Sequence, residues 1–208
     1  MIDLLQHLDA VHRQVSRTGD EVTVLLKRSY PADVEDVWDA LTDPDRMRRW
    51  FMPITGELKV GGSFQLQGNA GGEILECEPP TRFKVTFGGP ESTVEVRLAV
   101  GADADTTELE LEHLLPADFA GGGAAALYVG PGWDGGLLGL DLYIAGELTE
   151  DPTVMATSPE VLVFGERSVR KWITVLKASG TASDEEISAA IDVSLAQFAP
   201  GVPSSEND

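Results

Sequence analysis

The chain has a single cysteine, Cys77, in 208 residues, so no intrachain disulfide forms and no multi-thiolate metal centre can be built. Imidazoles are few too: His7 and His12 lie near the start, His113 has no other His or Cys near it, and zinc would need three or four ligands close together. No metal and no other cofactor is expected. Basic side chains are scarce, 15 Lys plus Arg against 35 Asp plus Glu, which gives a formal net charge of -20. Duplex DNA, RNA and anionic membrane surfaces repel such a protein. Long apolar runs are missing too. The least polar region, Gly121 to Leu148, is interrupted by glycines, Pro131, Asp134 and Asp141, so membrane insertion is not expected. The opening MIDLLQHLDAVHRQ carries Asp3 and Asp9 instead of the basic-then-apolar plan of a secretory signal. With cysteine this rare, a reducing cytosol is the expected compartment.

What remains is ordinary globular material, 42% hydrophobic and 24% charged, in a length that suits one domain with an appendage. Leu4, Leu8, Val11 and Val15 lie on one stripe of a helix, so residues 1–19 are expected to form an N-terminal helix. EVTVLLKRSY is β-branched and stops at Pro31, a strand signature. Asp33 and Asp43 are placed to cap two helices, the second with Pro44 as its first residue. From Gly56 to His113 the period becomes two. GSFQLQ, GEILECE, RFKVTF, STVEVRLAV and TTELELEH, separated by Gly, Asn and Pro clusters, predict an antiparallel meander with one wet face.

Trp133, Leu137, Leu140, Ile144 and Leu148 then share a helical stripe, with Leu138, Leu142 and Tyr143 elsewhere on the circumference. A helix apolar on most sides must be covered on most sides. The cover is expected from the rest of the chain. Ser158-Pro159-Glu160 opens one helix that closes at Ser179-Gly180, and Ser183 with Glu186 forms a capping box for another. The divisions are an N-terminal helix over 1–19, the main domain over 20–150, a helical extension packed on it over 151–199, and a disordered tail over 200–208.

Several patterns resemble chemistry. Gly130-Pro131-Gly132-Trp133-Asp134-Gly135 matches G-x-G-x-x-G after the strand-like AAALYV. A dinucleotide site would put bare backbone where Trp133 stands and needs βαβ units that a meander does not supply. The glycines are therefore expected to form a flexible entry into the long helix, near Trp133. No G-x-S-x-G elbow occurs, so serine hydrolase chemistry has no anchor. Glu73, Glu76, Glu78, Glu108, Glu110 and Glu112 alternate and fall mainly on the solvated face. Arg46, Arg48 and Arg49 are the one basic knot, read as a solvated helix face or as a contact for an acidic group. His113 falls on a core-facing strand position, where burial with hydrogen bonds and acid–base work in a cavity are the two readings.

Val37-Trp38, Leu41-Thr42-Asp43-Pro44, Trp50-Phe51, Val60-Gly61-Gly62, Pro79-Pro80 and Gly132-Trp133 before the long helix together resemble the SRPBCC superfamily (START-like, birch pollen allergen-like helix-grip proteins). The resemblance covers roughly Glu21 to Glu150. The branch is that related to activators of the heat-shock protein 90 ATPase, in an actinobacterial-type subgroup. It implies an α+β helix-grip fold: a curved antiparallel β-sheet wrapped around a long C-terminal helix, with extra N- and C-terminal helices and an apolar cavity between sheet and helix. The implied partner is a small hydrophobic molecule, lipid- or polyketide-like. Trp50, Phe64, Leu66, Phe83, Val85, Phe87, Val96, Leu111, Trp133, Leu137 and Leu140 are the expected walls, with His113 as a polar contact. Two alternatives accompany this reading. One is a cyclase or aromatase-like enzyme in which His113, Tyr143 or a cavity carboxylate moves protons on a bound polyketide. The other is a chaperone- or protein-interaction module with a protein partner or a homodimer.

Overall fold

The computed structural model describes residues 4–118, 122–148 and 150–202. Eight antiparallel strands form one sheet in the order β1-β2-β8-β7-β6-β5-β4-β3. They are β1 (His12–Thr18), β2 (Glu21–Tyr30), β3 (Ile54–Gly56), β4 (Ser63–Leu66), β5 (Gly71–Glu78), β6 (Arg82–Thr86), β7 (Thr93–Val100) and β8 (Thr107–Pro116). The helices are α1 (Leu4–Asp9), α2 (Val34–Thr42), α3 (Pro44–Trp50), α4 (Ala126–Ile144), α5 (Pro152–Met155), α6 (Pro159–Ser179) and α7 (Asp184–Phe198). The architecture is the α+β helix-grip arrangement, with α4 held against the concave face. Asp33 and Asp43 accept from the Asp36 and Arg46 backbone N–H groups as N-caps, and the Ser183–Glu186 capping box is present. A register shift between Ile74 and Glu76 in β5 adds the local twist that bends a sheet.

The N-terminus departs from expectation. Helix α1 stops at Asp9, and His12 to Thr18 pair with Lys27 to Glu21 as an antiparallel edge strand. The reason is arithmetic. Val11 and Val15 are four apart, which is about one helical turn and also two strand repeats, so their shared face is compatible with either. His12, expected on the helix, begins β1 and is exposed. The short edge strand β3 carried no signal of its own. At the other end, residues 203–208 of the expected tail lie outside the described residues.

The long helix also starts earlier than expected. AAALYV is no strand: Gly122–Ala125 form a 3-10 turn and α4 begins at Ala126, so the whole G-x-G-x-x-G string is helical. It ends at Ile144, leaving Leu148 beyond it. Alanine favours helix, and packing accounts for two of the breakers that obscured it. A side-chain carbon at Gly130 would stand 2.3 Å from the Trp172 ring, so only glycine lets α6 approach there. Pro131 lacks the N–H that would reach the Leu127 carbonyl four residues back. The Ser194 hydroxyl, wholly buried on α7, donates to that carbonyl instead at 2.6 Å. The helix is thus completed by a side chain from the extension.

Covering α4 on this side buries its acids. Asp134 accepts two bonds from Arg13 Nε at 3.0 Å and one from Nη2 at 2.8 Å, with the Ser168 hydroxyl at 2.5 Å and Trp172 Nε1 at 2.9 Å completing its partners. Burial pushes the Asp134 carboxyl up, against the opposing pull of the Arg13 guanidinium and the two neutral donors. Two turns on, Asp141 pairs with Arg28 and His7.

Two measurements test this account. Ser194→Ala leaves a buried carbonyl without its donor and lowers the urea unfolding free energy by about 1–3 kcal/mol. In a Pro131→Ala background, where residue 131 regains its N–H, that loss shrinks; equal losses in both backgrounds contradict the assignment. Gly130→Ala destabilises through the Trp172 contact, whereas Gly135→Ala, with no atom within 4 Å of the added carbon, raises stability by roughly 0.5–1 kcal/mol. Thermal melts of the pair decide this.

Candidate ligand-binding cavity

Alternation along the strands sends one face of the sheet toward α4. Phe64 and Leu66 of β4, Phe83 and Val85 of β6, Phe87 just after it, Val96 of β7 and Leu111 of β8 converge there. They face Trp50 of α3 and Trp133, Leu137 and Leu140 of α4. Together they enclose a cavity of about 210 Å³. The structure therefore brings all eleven expected wall residues into a single lining. Leu41, Met47, Phe51, Ile54, Leu58, Ile74, Val94 and Leu109 add further apolar wall that the sequence reading did not name. Polar side chains are few: Thr42, Cys77 and Lys59, the last paired with Glu57 at 3.1 Å on the exposed turn after β3.

Specific contacts hold the walls. Trp50 donates from Nε1 to the Ala40 carbonyl at 2.9 Å and stacks on Phe51 at 5.3 Å between ring centroids. Its own carbonyl comes so near α4 that a side-chain carbon at Gly139 would lie 2.9 Å from it. Trp38 meets Phe83 edge-on at 6.0 Å. The Tyr30 hydroxyl, fully buried on β2, donates to the Leu137 carbonyl at 3.2 Å, fastening α4 to the sheet beside the cavity.

His113, the expected polar contact, does not line the cavity. It sits behind Trp133, outside the cavity lining, where Trp133, Phe87 and His113 form a three-ring cluster with centroids 5.2 to 5.7 Å apart. Trp133 Nε1 is a donor only, so its 3.0 Å contact makes His113 Nδ1 an acceptor. The proton then resides on Nε2, facing the buried Ser92 hydroxyl at 2.9 Å. Burial pushes the His113 pKa down to about 4. Both nitrogens are occupied by structural partners, so His113 aims the Trp133 ring at one end of the cavity, and its own ring borders the space on the other side of Trp133.

Tyr143 is also elsewhere: its hydroxyl accepts from Arg46 Nε at 3.1 Å, and Arg46 in turn pairs with Asp36 at 2.8 Å. Neither His113 nor Tyr143 lines the cavity. Arg46 of the basic knot braces α2, α3 and α4, while Arg48 and Arg49 are exposed. Of the alternating glutamates, Glu76 and Glu78 pair with Arg82, and Glu110 and Glu112 with Arg97; Glu95 lies between Arg82 at 2.5 Å and Arg97 at 2.9 Å. Among the described residues no three His, Cys, Asp or Glu side chains are grouped to hold a metal ion, and no helix is long and apolar enough to cross a membrane.

Strands β3 to β8 with α2, α3 and α4 fall within residues 31–145, which match the family model of activator of Hsp90 ATPase homolog 1-like proteins. The chain belongs to that family. The crystal structure of CalU16 from Micromonospora echinospora is 34% identical with a TM-score of 0.66, over 81% of this chain and 99% of CalU16. DynU16, from the dynemicin biosynthetic locus, is 28% identical with a TM-score of 0.53, over 65% of this chain and 51% of its own. PFC0360w, a heat-shock protein 90 activator from Plasmodium falciparum, is 26% identical with a TM-score of 0.51, over 60% of this chain and 96% of that one. No curated protein matches significantly. In this member of the family, α6, α7 and their buried contacts lie beyond the matched region.

The His113 pKa gives a pH test. The unfolded imidazole takes up its proton near 6.5 and the folded one only near 4, so in acid the unfolded state binds more protons. His113's contribution to stability is complete above about pH 6.5 and is lost as pH falls toward 4. The span is on the order of 3 kcal/mol. His113→Gln can keep an acceptor toward Trp133 and a donor toward Ser92 without titrating. Denaturation series from pH 7 to 4 should therefore show wild type losing more stability than the variant; parallel curves contradict the assignment.

Proposed function

We propose that the chain binds a small hydrophobic molecule in the cavity between the sheet and α4. The observation that carries this reading is a space of about 210 Å³ with an almost wholly apolar lining. Engineered apolar cavities of about 150 Å³ stay dry and take up guests such as benzene. Burying a guest's apolar surface contributes about 25 cal/mol per Å², and the few polar groups at Thr42, Lys59 and Cys77 set its orientation. The likeness to DynU16, from the dynemicin biosynthetic locus, supports a natural product as the guest.

The test is native mass spectrometry of freshly purified protein, together with displacement of the neutral fluorophore 1-aminoanthracene. Wild type is expected to bind the fluorophore, and Val96→Phe, which fills the cavity from β7, to weaken it by about tenfold or more. A folded wild-type protein that binds none of the probes removes the reading. The likeness to PFC0360w favours a second reading, a protein-interaction module acting on heat-shock protein 90. Stimulation of the purified chaperone's ATPase, unaffected by Val96→Phe, would select it.

A further inference from the structure

The cavity is not the whole of the space beside α4. Beyond the Phe87–Trp133 pair lies a groove of about 410 Å³, bounded by α4, α5 and the C-terminal end of α7. Trp50, Phe51, Phe87, Trp133 and Gly136 line both spaces. The partition is therefore two aromatic pairs, Trp50 stacked on Phe51 and Phe87 tilted against Trp133, and one residue with no side chain.

Glycine is disfavoured in a helix interior relative to alanine. Gly130 and Gly139 are explained by the Trp172 ring and the Trp50 carbonyl, which press against them. Gly135 and Gly136 have no such reason: an added carbon would meet nothing within 4 Å at the first and only Phe51, at 3.8 Å, at the second. Both open on the groove, and Gly136 opens on the cavity as well. Packing leaves both positions open, which is the room that a guest crossing the helix at that point would need. Size points the same way. Sites for drug-sized molecules span about 300–1,000 Å³, a range that the cavity alone, at about 210 Å³, does not reach.

We propose that cavity and groove are the two halves of one site for an elongated, uncharged amphiphile. Its apolar end fills the cavity, its middle crosses α4 over Gly136 between the aromatic pairs, and its polar end lies in the groove near Asn69, Tyr128 and Gln197. No Lys, Arg, Asp or Glu side chain lines the groove, and the chain's net charge of -20 opposes an anionic head. This rests on the ligand-binding reading above and assigns the extension a part in the site, since Pro152, Met155 and Phe198 form the groove's outer wall.

A homologous series of straight-chain alcohols, from butanol to dodecanol, displacing 1-aminoanthracene tests it. In wild type the affinity rises by up to about fourfold per methylene through the longest members. In Gly136→Leu the rise stops at the length that fills the cavity. Gly135→Leu, whose side chain enters only the groove, weakens dodecanol by about tenfold or more relative to wild type. Thermal melts confirm that both variants are folded. A wild-type rise that already stops at the short alcohols, or an undiminished rise in both variants, overturns the two-part site while leaving the cavity as a binding site. Failure of every alcohol to displace the fluorophore removes the cavity reading as well.

Discussion

The buried carboxylate of Asp134 sets the rotation of the helix on which the site depends. With Arg13 from β1 and Ser168 and Trp172 from α6 converging on it, α4 has one orientation in which its charge is met. Leaving one member of a buried ion pair alone costs about 3–5 kcal/mol, so turning α4 about its axis is strongly opposed. Asp141, two turns further along, repeats the constraint through Arg28 and His7. With that face committed to α6 and the first strands, Trp133, Leu137 and Leu140 are turned toward the sheet. Gly132, Gly135 and Gly136 are turned toward the groove.

The same arrangement explains why a helix so apolar and so rich in breakers is stable. An isolated segment holding Pro131 and five glycines between residues 130 and 139 would not hold helical structure on propensity. Here α6 uses Gly130 as a contact point and α7 supplies the missing donor at Leu127. The C-terminal helices are therefore part of the element they cover. They also reach the outer side of α4 with Met155 and Phe198, so one extension both completes the helix and walls the groove.

Much of this was legible in the residues, for identifiable reasons. Strict alternation in STVEVRLAV and LELEH fixes which side chains face inward, because strand side chains repeat every two residues, and the wall positions on β7 and β8 follow from it. Caps at Asp33, Asp43, Ser158 and Ser183 are local chemistry and need no knowledge of the rest of the chain. Val11 and Val15 were ambiguous because a separation of four serves both periods. The start of α4 was hidden because the partners that excuse its glycines and proline, Trp172 and Ser194, lie some forty to seventy positions away. Leu41, Met47 and Leu58 were missed as wall because they come from short helices and a turn, whose facing is set by tertiary placement and not by period.

His113 shows most directly where local pattern stops. Period two correctly puts it on the inner face of β8, and an inner-facing imidazole invites a role in the cavity. What decides otherwise are two long-range contacts, the Trp133 indole N–H on Nδ1 and the Ser92 hydroxyl at Nε2, which fix the tautomer and occupy both nitrogens. A neutral, fully engaged imidazole is well suited to holding an indole in place, because it accepts from Nε1 without presenting a charge to an apolar wall. Trp133 is shared by cavity and groove, so the ring that His113 positions is one of the surfaces dividing them. The gap beside that ring is left by Gly136, so two features that look unrelated in the sequence, a core histidine and a helical glycine, shape the same boundary from opposite sides.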